Sequence, residues 1–327
     1  MARRDIVVAG TSAGGVEALK TLVRGLPPDY KGSLLIVIHI GSMSVGLMPE
    51  ILSRVGPLPA KHPDEGEIIR PGQIYVAPPD RHLLIQPGER LHLSRGPKEN
   101  FARPAIDPLF RSAALHYGER AAGVILTGYL DDGTAGLFAL KERGGLAIIQ
   151  DPKDAEIPAM PRNALRYVKA DYCLKLKEIP MVLADLAKAS EEAEVKTKPD
   201  KAMSKDLELE VAIASNERAR LSEVRKLGSP SLYVCPECQG TLSRMHDAHP
   251  PRFRCHTGHA YSIGSLESEM TNHIEASLWN AIRSLEEFAI LLKERSGEER
   301  DGEGEKERIK ADGAIQKAQA LRQLLAE

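Results

Sequence analysis

Between residues 5 and 187 the chain alternates short apolar runs with segments whose apolar residues recur every three or four positions. The short runs predict strands, and several are apolar throughout, as in a sheet covered on both faces. The segments between them predict helices. This alternation predicts an α/β fold with a doubly wound parallel sheet, a Rossmann-like arrangement of three layers. The predicted strands are Ile6 to Ala9, Leu34 to His39, Ile74 to Ala77, Ala122 to Thr127 and Leu146 to Gln150.

The pattern changes near residue 188, and the rest of the chain divides into three predicted segments. Residues 188–230 lack aromatic residues and are dominated by charge, which is typical of a linker, and a helix between Asn216 and Lys226 is an option within it. Residues 231–264 contain clustered cysteines and histidines. In residues 265–327 two amphipathic stretches flank a break rich in glycine and charge, which predicts a C-terminal helical hairpin. A coiled coil that binds a partner is the alternative.

Charge and hydropathy restrict the compartment and the partners. The 44 Lys and Arg residues and 46 Asp and Glu residues leave a net charge of -2, which favours neither nucleic acid nor anionic membrane as a partner. The longest apolar stretch, Leu34 to Ile40, is far shorter than the roughly 20 residues that span a bilayer. The first residues do not form a secretory signal. We therefore expect a cytoplasmic protein that does not bind nucleic acid.

Three of the four cysteines predict a metal site. Cys235 and Cys238 form a C-x-x-C pair, and after 16 residues Cys255 and His259 form a C-x-x-x-H pair. Thiolate and imidazole ligands at such spacings are typical of a structural tetrahedral zinc site. His256 is the alternative fourth ligand, but the three residues between Cys255 and His259 close the knuckle more naturally. Residues 231–264 are thus predicted to be a zinc ribbon.

The turn after the first predicted strand contains a candidate nucleophile. Gly10-Thr11-Ser12-Ala13-Gly14 fits the G-x-S-x-G pattern, in which small residues allow a sharp turn that exposes a serine. The following helix N-terminus offers unpaired N–H groups for a developing oxyanion. A phosphate-binding loop is the alternative, but the glycine spacing matches neither common nucleotide-binding pattern.

Two other predicted strand ends contain polar groups that complete a possible constellation. His39 ends the second strand, and Asp131 and Asp132 follow the strand that ends at Thr127. In doubly wound sheets, ligands bind at the carboxyl ends of the strands. Together with Ser12, these residues offer a nucleophile, a general base and an orienting carboxylate. Their order in the chain differs from the Ser, Asp, His order of α/β-hydrolases.

A series of motifs within residues 5–187 resembles the catalytic domain of the bacterial chemotaxis protein-glutamate methylesterases, the CheB type. The resemblance implies an enzyme that hydrolyses glutamate methyl esters on methyl-accepting chemoreceptors, and in many members also deamidates receptor glutamines. It implies no catalytic cofactor, and contact with a membrane only through the receptor. The motifs are Gly10 to Gly15, Val37 to His39, Tyr75 to His82, Arg103 to Asp107, Leu126 to Gly128 with Asp132-Gly133, and Met160 to Arg162.

The resemblance also implies roles for individual residues. It makes Ser12 the nucleophile, His39 the base and Asp132 the orienting acid, with Asp131 a turn or rim residue. It places an oxyanion donor at the Tyr129 N–H.

Other positions complete or depart from the family pattern. Arg103 and Asp107 either contact substrate or lock the start of a helix. Ala13 stands where the family usually has threonine, next to the nucleophile, and is grouped with Tyr129 and Arg103 as an oxyanion or substrate residue. Leu130 replaces a family glycine, which restricts the backbone beside Tyr129.

These observations predict a serine hydrolase of the methylesterase type in residues 1–187, followed by a charged linker and by a zinc ribbon and helical hairpin that serve as an interaction module. A non-catalytic signalling scaffold with a degenerate esterase domain is one alternative, and a small-molecule carboxylesterase is another. Because the chain starts at the first strand of the esterase domain, we expect no regulation by a receiver domain in cis.

Overall fold

The computed structural model describes residues 4–188, 201–216, 224–246, 248–298 and 303–326. It divides the chain into two compact units, Met1–Ser265 and Leu266–Glu327.

The first unit is built on a parallel sheet of seven strands. The apolar pattern predicted the parallel sheet and five of these strands, but not the two short edge strands, Ala60–Lys61 and Tyr172–Leu174. The first nine strands of the chain are β1 (Ile6–Thr11), β2 (Ser33–Ile38), β3 (Ala60–Lys61), β4 (Ile74–Val76), β5 (His82–Gln86), β6 (Arg90–Ser94), β7 (Ala121–Ile125), β8 (Leu146–Gln150) and β9 (Tyr172–Leu174). The order across the sheet is β3-β4-β2-β1-β7-β8-β9, and all its pairings are parallel. The remaining two strands, β5 and β6, form a separate antiparallel hairpin.

Six helices cover the two faces of this sheet. They are α1 (Gly15–Arg24), α2 (Met48–Val55), α3 (Ile106–Tyr117), α4 (Thr134–Glu142), α5 (Ala159–Tyr167) and α6 (Ile179–Lys188). Successive residues of β1 point to opposite faces: Val8 packs in the apolar cluster that contains α3, α4 and α5, and Val7 packs in the one that contains α1, α2 and α6. The three-layer fold predicted from the sequence is therefore confirmed.

The segment interpreted as a charged linker contains a docked helix, α7 (Lys201–Ala214). Leu207, Val211 and Ala214 are buried in the same apolar cluster as α3. These apolar residues recur at helical spacing, but the many charged residues between them made the segment resemble a linker in the sequence. Residues 189–200 and 217–223 of the predicted linker lie outside the described residues, and the second range holds most of the helix considered between Asn216 and Lys226.

Four antiparallel strands follow and complete the first unit. They are β10 (Gly228–Val234), β11 (Thr241–Met245), β12 (Arg252–Cys255) and β13 (Ala260–Ser262), paired in chain order. We call β10 to β13 the ribbon.

The last two helices are α8 (Ile263–Glu298) and α9 (Glu303–Ala326). In the second unit their small and apolar residues, Ala289, Leu292, Ala311 and Ala314, form a buried seam. At the helix surface the Arg322 guanidinium lies 5.4 Å from the Trp279 ring centroid and pairs with Glu286 at 2.9 Å. None of the helices in the described part of the chain is long and apolar enough to cross a bilayer.

Candidate active site

The turn between β1 and α1 places Ser12 beside the segment that follows β7. Gly14 adopts a positive φ of 75°, which permits the sharp change of direction before α1. The Ser12 N–H donates to the Thr127 carbonyl at 3.0 Å, which ties the turn to the segment after β7. A Cβ atom on Gly128 would lie 2.9 Å from the Ser12 Cβ atom, so only glycine permits this close approach. Ser12 itself is half-buried.

His39 follows β2 and meets Asp132, which lies in the loop after β7. The His39 Nε2 atom lies 2.7 Å from the Asp132 Oδ2 atom, and the two side chains are 22% and 2% exposed. With Asp132 ionised, Nε2 carries the proton, and Nδ1 is the ring nitrogen that can accept one. Within the described residues His39 and Ser12 Oγ share no hydrogen bond.

The carboxylate of Asp132 caps the N-terminus of α3 from another part of the chain. Its Oδ2 atom accepts the Ile106 N–H at 2.7 Å, and its Oδ1 atom accepts the Asp107 N–H at 3.2 Å. The residue before α3, Ala105, has no side-chain acceptor, so Asp132 satisfies N–H groups that the local sequence leaves unpaired. The positive end of the helix also favours a negative charge at this point.

These contacts keep Asp132 ionised although it is buried. Burial alone would raise the pKa of Asp132, but the hydrogen bond and charge of His39, with the N–H groups of Ile106 and Asn100, hold the pKa of this carboxyl below its usual value. An ionised Asp132 can stabilise a protonated His39.

Sequence reasoning did not identify Asn100, whose amide group donates to Asp132 Oδ1 at 3.0 Å. Asn100 lies in the loop before α3, where Asn100 and Phe101 have φ angles of 50° and 62°. Left-handed backbone at two successive residues other than glycine is uncommon and often marks a functional loop. No periodic pattern in the sequence points to this loop.

Asp131 begins a turn, in which the Thr134 N–H donates to its carbonyl at 3.1 Å, but its side chain is buried, so it is not a rim residue. Its side chain accepts a hydrogen bond of 2.5 Å from the Ser262 hydroxyl at the end of β13. Burial raises the pKa of Asp131, and the hydrogen bond from Ser262 partly offsets this effect. The two neighbouring aspartates therefore face different parts of the protein: Asp132 faces His39, and Asp131 faces the ribbon.

Ala13 and Tyr129, which the sequence groups as oxyanion or substrate residues, directly follow Ser12 and Gly128 in the chain. In the described part of the chain, neither the Ala13 N–H nor the Tyr129 N–H donates a hydrogen bond. Leu130, which was expected to restrict this backbone, adopts a φ of 58°, the left-handed conformation that glycine adopts readily. The Asn163 side chain holds this conformation by donating to the Leu130 carbonyl at 2.7 Å. The tight turn is therefore present without glycine.

Arg103 and Asp107 hold the protein's own structure together. Arg103 donates to Asp80 through Nε and Nη2 at 2.9 and 2.7 Å, and its Nη1 donates to the Gly96 carbonyl at 2.9 Å. Asp107 is fully enclosed and accepts the Gly136 N–H of α4 at 2.6 Å. Of the two alternatives for this pair, these contacts favour locking the helix start over contacting substrate.

A second cluster of chemically active side chains lies in the ribbon. Cys235, Cys238, Cys255 and His259 bring their ligand atoms within 4.8 Å of one another. The Cys238 and Cys255 sulfurs are 3.6 Å apart, and His259 Nδ1 lies 3.6 Å from Cys255 Sγ and 3.7 Å from Cys235 Sγ. Tetrahedral zinc with Zn–S bonds of about 2.3 Å needs ligands about 3.7 Å apart, so these residues fit the ion.

The other ring nitrogen of His259 and the neighbouring His256 also bear on this cluster. His259 Nε2 lies 3.9 Å from a Glu237 carboxylate oxygen, the kind of partner that orients histidine ligands. His256, the alternative fourth ligand, is exposed and is not part of the cluster.

The first part of the chain is similar to known methylesterases in sequence and in structure. The family model described as CheB methylesterase matches residues 7–183. A crystal structure of the Thermotoga maritima CheB methylesterase catalytic domain superposes with a TM-score of 0.54 and 33% identity, over 57% of this chain and 99% of that one.

Curated relatives are similar over the same region. A Leptospira interrogans protein, named for protein-glutamate methylesterase and protein-glutamine glutaminase activities, is 44% identical over 175 residues, which are 54% of this chain and 91% of that protein. A second relative with these activities in its name, from Anaeromyxobacter dehalogenans, is 36% identical over 187 residues and 54% of its own length.

The burial of Asp107 next to the ionised Asp132 can be tested through the titration of Asp107. Burial and the negative charge of Asp132 raise the pKa of Asp107 to about 7. The folded protein therefore retains a proton that the unfolded chain, with a pKa of about 3.9, releases first. This contribution to the free energy of unfolding is lost as the pH rises through about 7.

Asp107→Asn removes the group whose deprotonation lowers the free energy of unfolding, but it keeps an oxygen that can accept the Gly136 N–H. We expect the melting temperature of Asp107→Asn, relative to the original protein, to rise by several degrees between about pH 5 and about pH 8. Thermal unfolding followed by circular dichroism measures this difference. The exposed control Asp29→Asn should show no such trend, and a constant difference for Asp107→Asn would contradict a raised pKa.

Proposed function

Because the chain belongs to the CheB methylesterase family, we propose that it is a protein-glutamate methylesterase that demethylates methyl-accepting chemoreceptors in the cytoplasm. The observation that carries this proposal is the 2.7 Å contact between His39 and the buried Asp132, beside the turn that contains Ser12. The names of the relatives support a second activity, deamidation of glutamine side chains. Residues 1–187 would perform the chemistry.

In the proposed first step, Ser12 Oγ attacks the carbonyl carbon of the glutamate methyl ester while His39 Nδ1 accepts the serine proton. Asp132 holds His39 in the required tautomer and stabilises the imidazolium that forms. The carbonyl oxygen becomes an oxyanion, for which the Ala13 and Tyr129 N–H groups are the proposed donors. The tetrahedral intermediate then collapses, the ester C–O bond breaks, and His39 returns its proton to the departing methoxide, which leaves as methanol.

In the second step, water hydrolyses the glutamyl ester formed on Ser12. His39 removes a proton from the water, and hydroxide adds to the acyl carbon. The intermediate then releases Ser12, which recovers its proton from His39. Over the two steps the products are a glutamate side chain, released here, and methanol, released in the first step. With a glutamine substrate the same sequence releases ammonia in the first step.

The sequence offered two alternatives, a non-catalytic scaffold and a small-molecule esterase, and each can be compared with this proposal. Ala13 and Leu130 suggested decay into a scaffold, but Leu130 adopts the left-handed φ that glycine adopts readily, and the Tyr129 N–H donates no hydrogen bond within the described residues; both observations support the catalytic alternative. A small-molecule esterase would hydrolyse generic esters faster than a methylated receptor, and direct comparison of the two substrates tests this.

We also propose that Cys235, Cys238, Cys255 and His259 hold a structural zinc ion. Four protein ligands leave no open position for substrate, so the ion would stabilise the ribbon and take no part in ester hydrolysis. A strand set of this size has little core, and metal binding would supply much of its folding free energy.

The proposed triad predicts a ranked series of losses. Ser12→Ala and His39→Ala should each reduce methanol release from a methylated receptor by about a thousandfold or more, and the double variant should be little worse, because triad members act as one unit. Asp132→Asn should also be severe, because an amide favours the wrong tautomer of His39.

Asp131→Asn is the matched control for the triad acid. Its amide oxygen can still accept the Ser262 hydroxyl, so we expect activity within a fewfold of the original. If Asp131→Asn were the more damaging of the two, the assignment of Asp132 would be wrong. Full activity of Ser12→Ala would contradict the proposed chemistry as a whole.

The zinc proposal predicts about one zinc ion per chain in protein purified without chelator. Cys255→Ser and His259→Ala should each lower the zinc content well below that value, whereas His256→Ala, which changes the neighbouring exposed histidine, should leave it unchanged. Elemental analysis of the purified proteins measures this. Equal zinc loss in His256→Ala and His259→Ala would show that the ligand set is misassigned.

A further inference from the structure

We propose that Asn100 is a positioning residue for Asp132 and that the docked ribbon sets the orientation of Asn100, which makes the ribbon part of the active site. This inference rests on the proposed function, and it goes beyond the catalytic domain that the family defines. The ribbon then acts on the chemistry through a side chain that touches neither substrate nor Ser12.

The side chain of Asn100 connects the triad acid to the junction of β13 and α8. On one side its amide nitrogen donates to Asp132 Oδ1 at 3.0 Å. On the other side its Oδ1 atom accepts the Ser262 N–H at 2.9 Å and the Ser265 hydroxyl at 2.8 Å. The amide nitrogen also donates to Asp107 Oδ2 at 3.4 Å, so both its N–H groups and the amide oxygen have partners.

The ribbon end of this connection determines which way the amide points. A backbone N–H can only donate, so the Ser262 N–H requires the Asn100 oxygen to face β13. The amide nitrogen must then face Asp132, where it donates to a carboxylate. Without Ser262 and Ser265 the amide can rotate and present its oxygen to Asp132, which would repel the carboxylate.

A second contact joins the same two segments. The Ser262 hydroxyl donates to Asp131 at 2.5 Å and accepts the Ser265 N–H at 2.9 Å, so it caps the first turn of α8. Asp131 and Asp132 are adjacent in one loop. The junction therefore holds the loop of the triad acid through Asp131 as well as through Asn100.

The Asn100 loop is also paired with β13 through its backbone. The Asn100 N–H donates to the Ala260 carbonyl at 2.8 Å, and the Phe101 and Tyr261 rings lie 4.8 Å apart between centroids. These contacts hold Asn100 and Phe101 in their left-handed conformations. The conformation of the Asn100 loop therefore depends on the position of the ribbon.

A buried charge cluster fixes the ribbon against the catalytic domain. Arg252 of β12 binds Glu210 of α7 through two hydrogen bonds of 2.6 and 2.8 Å. Arg254 of β12 contacts Glu99 at 3.2 Å, and Arg111 of α3 contacts the same glutamate at 2.7 Å. If the ribbon separated from the catalytic domain, these buried charges would lose their partners, which is strongly destabilising. The ribbon is therefore held tightly against the domain.

The first part of the test measures steady-state kinetics on the full chain. Asn100→Ala should lower kcat about ten- to hundredfold, because it removes a hydrogen bond to a buried charge, and should change KM less than about twofold. Ser265→Ala, which keeps Asn100 and the Ser262 N–H, should lower kcat about threefold. The double variant should be no slower than Asn100→Ala alone, because Ser265 acts through Asn100. Asn272→Ala and Ser277→Ala, on the exposed surface of α8, are the matched controls.

The second part uses a signal that requires no substrate. The proton between His39 Nε2 and Asp132 should give a low-field resonance in the proton NMR spectrum, assigned by its absence in His39→Ala. Asn100→Ala should shift or broaden this resonance, and Ser265→Ala should move it in the same direction by less. A residue that only supports the fold would leave the resonance in place in every folded variant.

The outcomes separate this proposal from the proposed function. Normal activity of the original protein, with neither kcat nor the resonance changed in folded Asn100→Ala and Ser265→Ala, would overturn the positioning role alone. Absence of methylesterase activity in the original protein, with a resonance that still responds to both variants, would overturn the proposed function alone. If Asn100→Ala fails to fold, the response of the resonance to Ser265→Ala decides.

Discussion

The site depends on keeping one buried carboxylate, Asp132, ionised and in one orientation. Burial opposes the charge, and the protein offsets this with His39, the first N–H groups of α3 and the amide of Asn100. Each partner belongs to a different segment of the chain. The loop after β7, the end of β2, the start of α3 and the Asn100 loop must therefore all be in place before the contacts around Asp132 can form.

This requirement links the catalytic domain to the segments that follow it. Asn100 is oriented by the β13 end of the ribbon, and β12 is anchored by buried arginines on Glu99 and Glu210. The helix α7, which supplies Glu210, packs in the apolar cluster of α3. The ribbon therefore contacts the hydrogen-bond network around Asp132 through Asn100.

The sequence predicted the parts of this arrangement that follow periodic rules. Strand ends in a parallel sheet meet at one edge, which correctly brought together His39 and Asp132 beside the Ser12 turn. Tertiary contacts without a local pattern were missed: α7 is hidden among charges, and Asn100 lies in a loop with no periodicity. The burial of Asp131 was missed because its partner, Ser262, is far away in the chain.

The central claim, that Ser12 is the nucleophile activated by His39 and Asp132, is tested most directly by trapping its acyl intermediate. The protein is mixed with a substrate peptide that carries a glutamate γ-nitrophenyl ester, and the reaction is quenched in acid. Mass spectrometry of the digested protein should then find the glutamyl group of the substrate on the fragment that contains Ser12. The adduct should be absent in Ser12→Ala and should form much more slowly in Asp132→Asn. An adduct on another residue, or one that persists in Ser12→Ala, would contradict the account.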